Sequence, residues 1–203
     1  MFDPDGPVLG IDPGVSRCGY GLVVRAGGGR FRALAFGVIT TRPTDPMPER
    51  LVTVAAELEA LVAEHRPAAM AVERVLFQSN ARTAMSVGQA NGLAQVAAAR
   101  VGVPVVEYSP NEVKLAVTGH GAAGKAQVQE MVARLLGLAE VPRPPDAADA
   151  LALALTHSWS GRLAAQGASS AGDGVAPGLS RAVEAAIARD EARRARRTGT
   201  EVA

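Results

Sequence analysis

Within its first forty residues the chain turns back on itself twice. Three runs rich in Val, Leu, Ile, Phe and Tyr, at 8–12, about 18–25 and about 31–40, are separated by short glycine-containing stretches, including GGG at 27–29. Apolar runs of this length bounded by turn residues read as strands, and connections this short join only antiparallel neighbours. A three-stranded meander is therefore expected. The period then changes. From Glu49 to His65, Leu51, Val54, Ala55, Leu58, Leu61 and Val62 recur at threes and fours, which predicts an amphipathic helix ending before Pro67. AAMAVE at 68–73 reads as a strand. Residues 79–101 open with Ser79 and Asn80 as caps and continue with many alanines, predicting a long, smooth helix. VPVVEY at 103–108 is a further strand, and Ser109, Pro110 and Glu112 form a capping box for a short helix to about Val117. Helices from about Lys125 to Leu136 and from about Asp146 to Trp159 complete the pattern. Helices alternating with late strands imply a mixed α/β sheet of five strands, three antiparallel and then two parallel, flanked by helices.

The remainder separates from this pattern. Residues 1–7 are a short extension. Residues 160–203, beginning LAAQGASSAGDGVAPG, hold too few large apolar side chains to offset the entropy of ordering, and are expected to be a disordered tail, with 8–159 as the folded domain. The formal net charge of +1 divides as −1 over 1–157 and +2 over 158–203. Bulk charge therefore gives no steering toward a polyanion, and any such partner has to be met by a local patch. Cys18 is the single cysteine, which rules out an intrachain disulfide and multi-cysteine zinc sites and fits a reducing compartment. With no apolar leader and no long apolar span, a cytoplasmic protein without membrane association is expected.

Four acids stand where an element begins or ends. Asp12 closes the first strand in VLGIDPGVSRCGYGLV, Glu73 closes the fourth, and Asp146 and Asp149 open the last helix in PDAADALALAL. The two aspartates are three apart and so project from one helix face. Taken singly, turns, N-caps and the helix dipole account for the aspartates. Glu73 is harder to explain in that way, because AAMAV and RVLF surround it with apolar residues. If the strands carrying Asp12 and Glu73 are neighbours, their carboxylates converge, and a helix packed there adds the other two. Such a cluster needs cations, and all-oxygen ligands select Mg²⁺ or Mn²⁺. Two such ions about 4 Å apart are a common device for in-line phosphodiester hydrolysis. Gly14 and Gly19 are expected to let the hairpin after Asp12 turn tightly.

In combination, GIDPG and GYGLV, AVERVLFQSN at 71–80, GQANG at 88–92, EYSPNEVKLAVTGHGAAGKAQVQEMV at 107–132 and DAADALALALTH at 146–157 closely resemble the RuvC Holliday junction resolvases, over about residues 8–159. The resemblance implies a ribonuclease H-like fold and a homodimer. It implies symmetric Mg²⁺-dependent nicking of a four-way DNA junction in recombination and repair, leaving 5′-phosphate and 3′-hydroxyl ends. By the same resemblance Asp12, Glu73, Asp146 and Asp149 fall on the family's catalytic, metal-binding acids, taken as holding two Mg²⁺ with Mn²⁺ able to substitute. Lys114 and Lys125 fall on its DNA-contacting lysines, and the RuvA and RuvB branch-migration proteins are implied partners. Many members carry Phe where this chain has Leu76, so the base-stacking role passes in question to Phe77. The alanine-rich helix at 79–101 is the expected dimer interface.

GHGAAGKA at 119–126 imitates a phosphate-binding loop but has Ala126 where the Mg²⁺-binding hydroxyl belongs, and a helix precedes it. Its glycine amides and Lys125 suit a DNA phosphate better, with His120 as a further contact. No nucleotide or other organic cofactor site is expected. His65, His120 and His157 are scattered, which argues against a histidine metal centre, and His157 is expected to pack at a helix end. Two other readings remain at this point. One is an actin-like or sugar-kinase-type phosphate-binding domain, which needs two such domains and a longer chain. The other is a ribonuclease H-fold protein that binds branched nucleic acid without cutting it, for which clustered acids beside phosphates are a handicap.

Overall fold

The structure is a computed structural model that describes residues 6–74 and 81–170. Its elements run β1 (Val8–Asp12), β2 (Arg17–Arg25), β3 (Phe31–Thr40), α1 (Met47–His65), β4 (Ala69–Glu73), α2 (Ala81–Arg100), β5 (Val105–Tyr108), α3 (Pro110–Thr118), α4 (Lys125–Leu136) and α5 (Pro145–Ser170). The five strands form one mixed sheet in the order β3-β2-β1-β4-β5. β1, β2 and β3 pair antiparallel, and β1-β4 and β4-β5 pair parallel, as the alternation of turns and helices requires.

Side-chain alternation along the strands divides two cores. Leu9, Ile11, Cys18, Leu22, Met70 and Val72 face α1 and α2, where Val54, Leu58, Val62, Ala94, Ala97 and Ala98 meet them. The residues between them face α5, with Val8, Val23 and Ala71 packed against Leu151, Leu153 and Leu155, and α3 and α4 close over this side. Asp12 and Glu73 share the parity of Gly10 and Ala71, so both carboxylates belong to the α5 side.

At three glycines α5 comes directly against the sheet backbone. A Cβ placed on Gly10 would lie 2.0 Å from the Ala150 carbonyl oxygen, and one on Gly19 would lie 2.1 Å from that of Asp146. One on Gly21 would come within 2.8 Å of the Leu151 nitrogen. Gly19 thus differs from its expected role. It sits within β2 and makes room for the first turn of α5, whereas Gly14 does serve the turn, with its missing Cβ 2.4 Å from the Arg17 carbonyl.

Ser109 caps α3 through the anticipated reciprocal pair: its hydroxyl accepts from the Glu112 amide, and the Glu112 carboxylate accepts from the Ser109 amide. α5 is longer than expected, running through Ser170 rather than stopping at Trp159, because Arg162, Leu163, Gln166 and three alanines follow with no proline among them. The described residues up to Ser160 form one compact unit. Among the described residues no helix is long and apolar enough to cross a membrane.

Candidate active site

β1 and β4 are parallel neighbours with Ile11 opposite Val72, so Asp12 and Glu73 emerge side by side from the ends of their strands. Their carboxyl groups are close enough for each to perturb the other's ionisation. Burial, then the charges of Glu73, Asp149 and Asp146, push the Asp12 carboxyl up to about 8. Burial likewise raises Glu73, against the opposing influence of its contact with Asp12 and of Lys125 and Lys114.

The first turn of α5 supplies the other two acids. Asp146 lies just inside the helix rather than at its cap, since the helix begins at Pro145. Both Nε and Nη2 of Arg17 donate to its Oδ2, at 3.1 and 2.6 Å. Burial pushes Asp146 up, but the Arg17 hydrogen bond, a backbone amide and the charges of Arg17 and Lys125 outweigh it and hold the group below its usual range. Asp149 pairs with Lys125 at 2.7 Å, and that bond is the main reason the lysine is held above its ordinary value.

A cleft of about 310 Å³ collects Asp12, Glu73, Asp149, Lys114 and Lys125, with Val113 and Leu153 among its apolar walls. Asp146 opens instead onto an adjoining cleft, which Asp12 also lines. The structure therefore draws three of the four acids and both lysines together, and reaches the fourth through Asp12. Among the described residues no three acids surround a single point at ligand spacing, because Arg17 and Lys125 draw the two helix aspartates aside. Two ion pairs thus offset part of the negative charge, with Lys114 also lining the cleft. An all-oxygen donor set in which burial and neighbouring acids raise Asp12 and Glu73 fits a hard divalent cation.

Lys125 occupies the first position of α4, where the helix dipole disfavours a cation, and the preceding Gly124 provides no side-chain cap. The free amides and the ammonium group together suit an anion. The segment before this loop is α3, a helix, so the strand context of a nucleotide-binding loop is missing, as the sequence indicated. His120 is exposed in the α3–α4 loop, outside the cleft lining. His157 lies inside α5 rather than at its end and meets the Tyr108 hydroxyl at 2.9 Å through Nδ1. Leu76 and Phe77 fall outside the described residues. Sequence reasoning missed Arg17. For Arg17 a signal existed, since it shares the strand parity of Gly19 and must face α5 if β2 begins at residue 17.

Residues 8–157 match the family described as crossover junction endodeoxyribonuclease RuvC. The crossover junction endodeoxyribonuclease RuvC of Salinispora arenicola is 56% identical over 154 residues, covering 76% of this chain and 88% of its own. That of Syntrophomonas wolfei is 49% identical over 156 residues, covering 77% and 90%. Among solved structures, Thermus thermophilus RuvC in complex with a Holliday junction substrate superposes with a TM-score of 0.74 at 43% identity, covering 78% of this chain and 96% of that one. The yeast mitochondrial Holliday junction resolvase Ydc2, at 16% identity and a TM-score of 0.59 over 80% and 81% of the two chains, shares the fold. The sheet is thus the ribonuclease H-like one, and with both the family match and these identities spanning the folded unit, the chain belongs to the RuvC family of crossover junction endodeoxyribonucleases.

Proposed function

We propose that this chain resolves four-way DNA junctions in the cytoplasm, by paired symmetric nicks that leave 5′-phosphate and 3′-hydroxyl ends. The observation that carries the reading is the meeting of Asp12, Glu73 and Asp149 with Lys114 and Lys125 in one cleft. Nucleases of this family depend on metal ions, and two Mg²⁺ per site are inferred from the oxygen-only donors and from the four acids spread over two adjoining clefts. When bound, such ions supply activation of the attacking water and stabilisation of the leaving oxygen.

The protein's own contribution is placement. Asp12 and Glu73, fixed at the ends of paired strands, and Asp149, fixed by α5, hold negative oxygens where the cations are needed. Lys114 and the N-terminal turn of α4 seat the phosphate, and Lys125 offsets the charge that grows on it as the new bond forms. Residues 8–159 constitute the nuclease unit. A homodimer, with α2 at its interface, would present two such sites to a two-fold symmetric substrate. RuvA and RuvB are the proposed partners in branch migration.

The test compares wild type with Asp12→Asn on a synthetic mobile four-way junction in Mg²⁺. Strand cutting should fall by at least about 10³-fold while junction binding is kept, as for loss of a group that acts on the transition state. Cutting at the wild-type rate would remove Asp12 from the metal site. Loss of binding together with cutting would make it a structural residue.

A further inference from the structure

An arginine taken out of water normally brings a carboxylate with it, because an isolated buried charge is costly. Arg50, in the first turn of α1, is only 8% exposed, and its hydrogen bonds go to two hydroxyls. Nε donates to Thr41 Oγ1 at 2.9 Å and Nη2 to Ser16 Oγ, while Thr41 Oγ1 donates in turn to the Val15 carbonyl at 2.6 Å. These neutral partners orient the guanidinium and leave its charge uncompensated. Among the described residues no carboxylate pairs with it. Nη1 has no hydrogen bond within the protein and is not sealed from solvent.

This surplus charge lines a cleft of about 900 Å³, shared with Asp12, Arg17, Met85, Ser86 and Gln89. Asp12 also lines the cleft that holds Lys114 and Lys125, so the two depressions meet at that carboxylate. Asp146, which also lines this cleft, is engaged by Arg17 and so does not compensate Arg50. What the second cleft offers is therefore one oriented guanidinium, backed by apolar side chains such as Met47 and Val87, at the edge of the cutting site. A planar fork of donors with its charge unspent matches the paired oxygens of a phosphodiester.

We propose that Arg50 forms a second backbone-phosphate subsite, which seats a phosphate of the cut strand beside the scissile one and so fixes the strand's path across Asp12. The subsite rests on the junction-cutting reading above. A strand held on both sides of the scissile bond cannot swing away from the acids, and a phosphate at Arg50 supplies the charge the protein leaves out.

The experiment measures binding of a fluorescent four-way junction by anisotropy in EDTA over a range of salt, for wild type, Arg50→Lys and Arg50→Gln. Arg50→Gln should bind about 5-fold more weakly near 0.15 M salt, with the slope of log K against log salt reduced by about 0.9, the value of one phosphate contact. Arg50→Lys should keep the slope. In parallel, single phosphates flanking the cut are replaced by neutral methylphosphonates. One such linkage should weaken wild type by a similar factor and leave Arg50→Gln indifferent. A wild-type slope for Arg50→Gln, or a stability loss with no change of slope, would overturn the subsite and make Arg50 a tie between α1 and the β1–β2 turn. Should Arg50→Gln fail to fold, the linkage scan on wild type decides alone, and insensitivity at every linkage but the scissile one refutes the proposal. Failure of the underlying reading has a separate signature, namely no preference for junction over duplex and no cutting in Mg²⁺ by the wild-type protein.

Discussion

Asp12 is asked to hold a charge in a place built against charge. Its carboxyl is raised from 3.8 to about 8 by burial and by three neighbouring acids, which fixes how the stability of the metal-free protein must respond to pH. Below about pH 4 both folded and unfolded chains carry this proton. As pH rises toward 8 the unfolded chain ionises while the folded one resists, so folded stability is lost across that window. Melting temperature in chelator should therefore fall from about pH 4 to about pH 8. Asp12→Asn should flatten the profile and raise the melting point at pH 8 by a few degrees, and Mg²⁺ should restore most of the wild-type loss. A flat wild-type profile in chelator would show that the carboxyl is not strained.

At the scale of elements, the contact between α5 and the sheet decides where two of the acids stand. Gly19→Ala sets a methyl group 2.1 Å from the Asp146 carbonyl oxygen, and neither backbone can yield without moving the other. The variant should lose about 2 kcal/mol or more in urea unfolding. Its cutting should fall further than its junction affinity, since the displaced turn carries acids rather than the cleft's lysines. Leu58→Ala in the opposite core should cost a comparable ~2–5 kcal/mol and leave cutting by the folded fraction unchanged. The strands, the α3 capping box and the start of α4 were legible in the sequence because short-range periodicity and turn chemistry fix them. The grouping of Asp12 with Glu73 became legible once β1 and β4 were supposed adjacent, since alternation then puts both on one face. Gly19's purpose was not legible, because it depends on a helix more than a hundred residues away. The pairing of Arg17 with Asp146 has the same long-range origin, whereas the partners of Arg50 are 9 and 34 positions away. α5 outran its expected end because the low bulk of alanine was read as a tail, while its helix propensity allowed the helix to continue.

For the whole molecule, near-neutrality means that on the proposed reading DNA is met by a few placed cations rather than by a basic surface. On α2, Met85 and Val96 are 68% and 48% exposed. If that helix is where two copies meet, sedimentation at micromolar concentration should give the mass of a dimer, and Val96→Asp should shift it toward the monomer. A wild-type monomer under those conditions would leave each junction arm to a separate encounter and remove the basis for paired cuts. The two sides of the sheet also differ in what they can absorb over time. On the α1–α2 side, leucines, valines and methionines can exchange volume with one another, so a change at one position has many partners able to compensate. On the α5 side strand and helix backbones touch at Gly10 and Gly19, and there is no intervening rotamer to adjust. Compensation there would have to shift a whole helix together with its acids, so that face is closed to gradual drift while the other stays open to it.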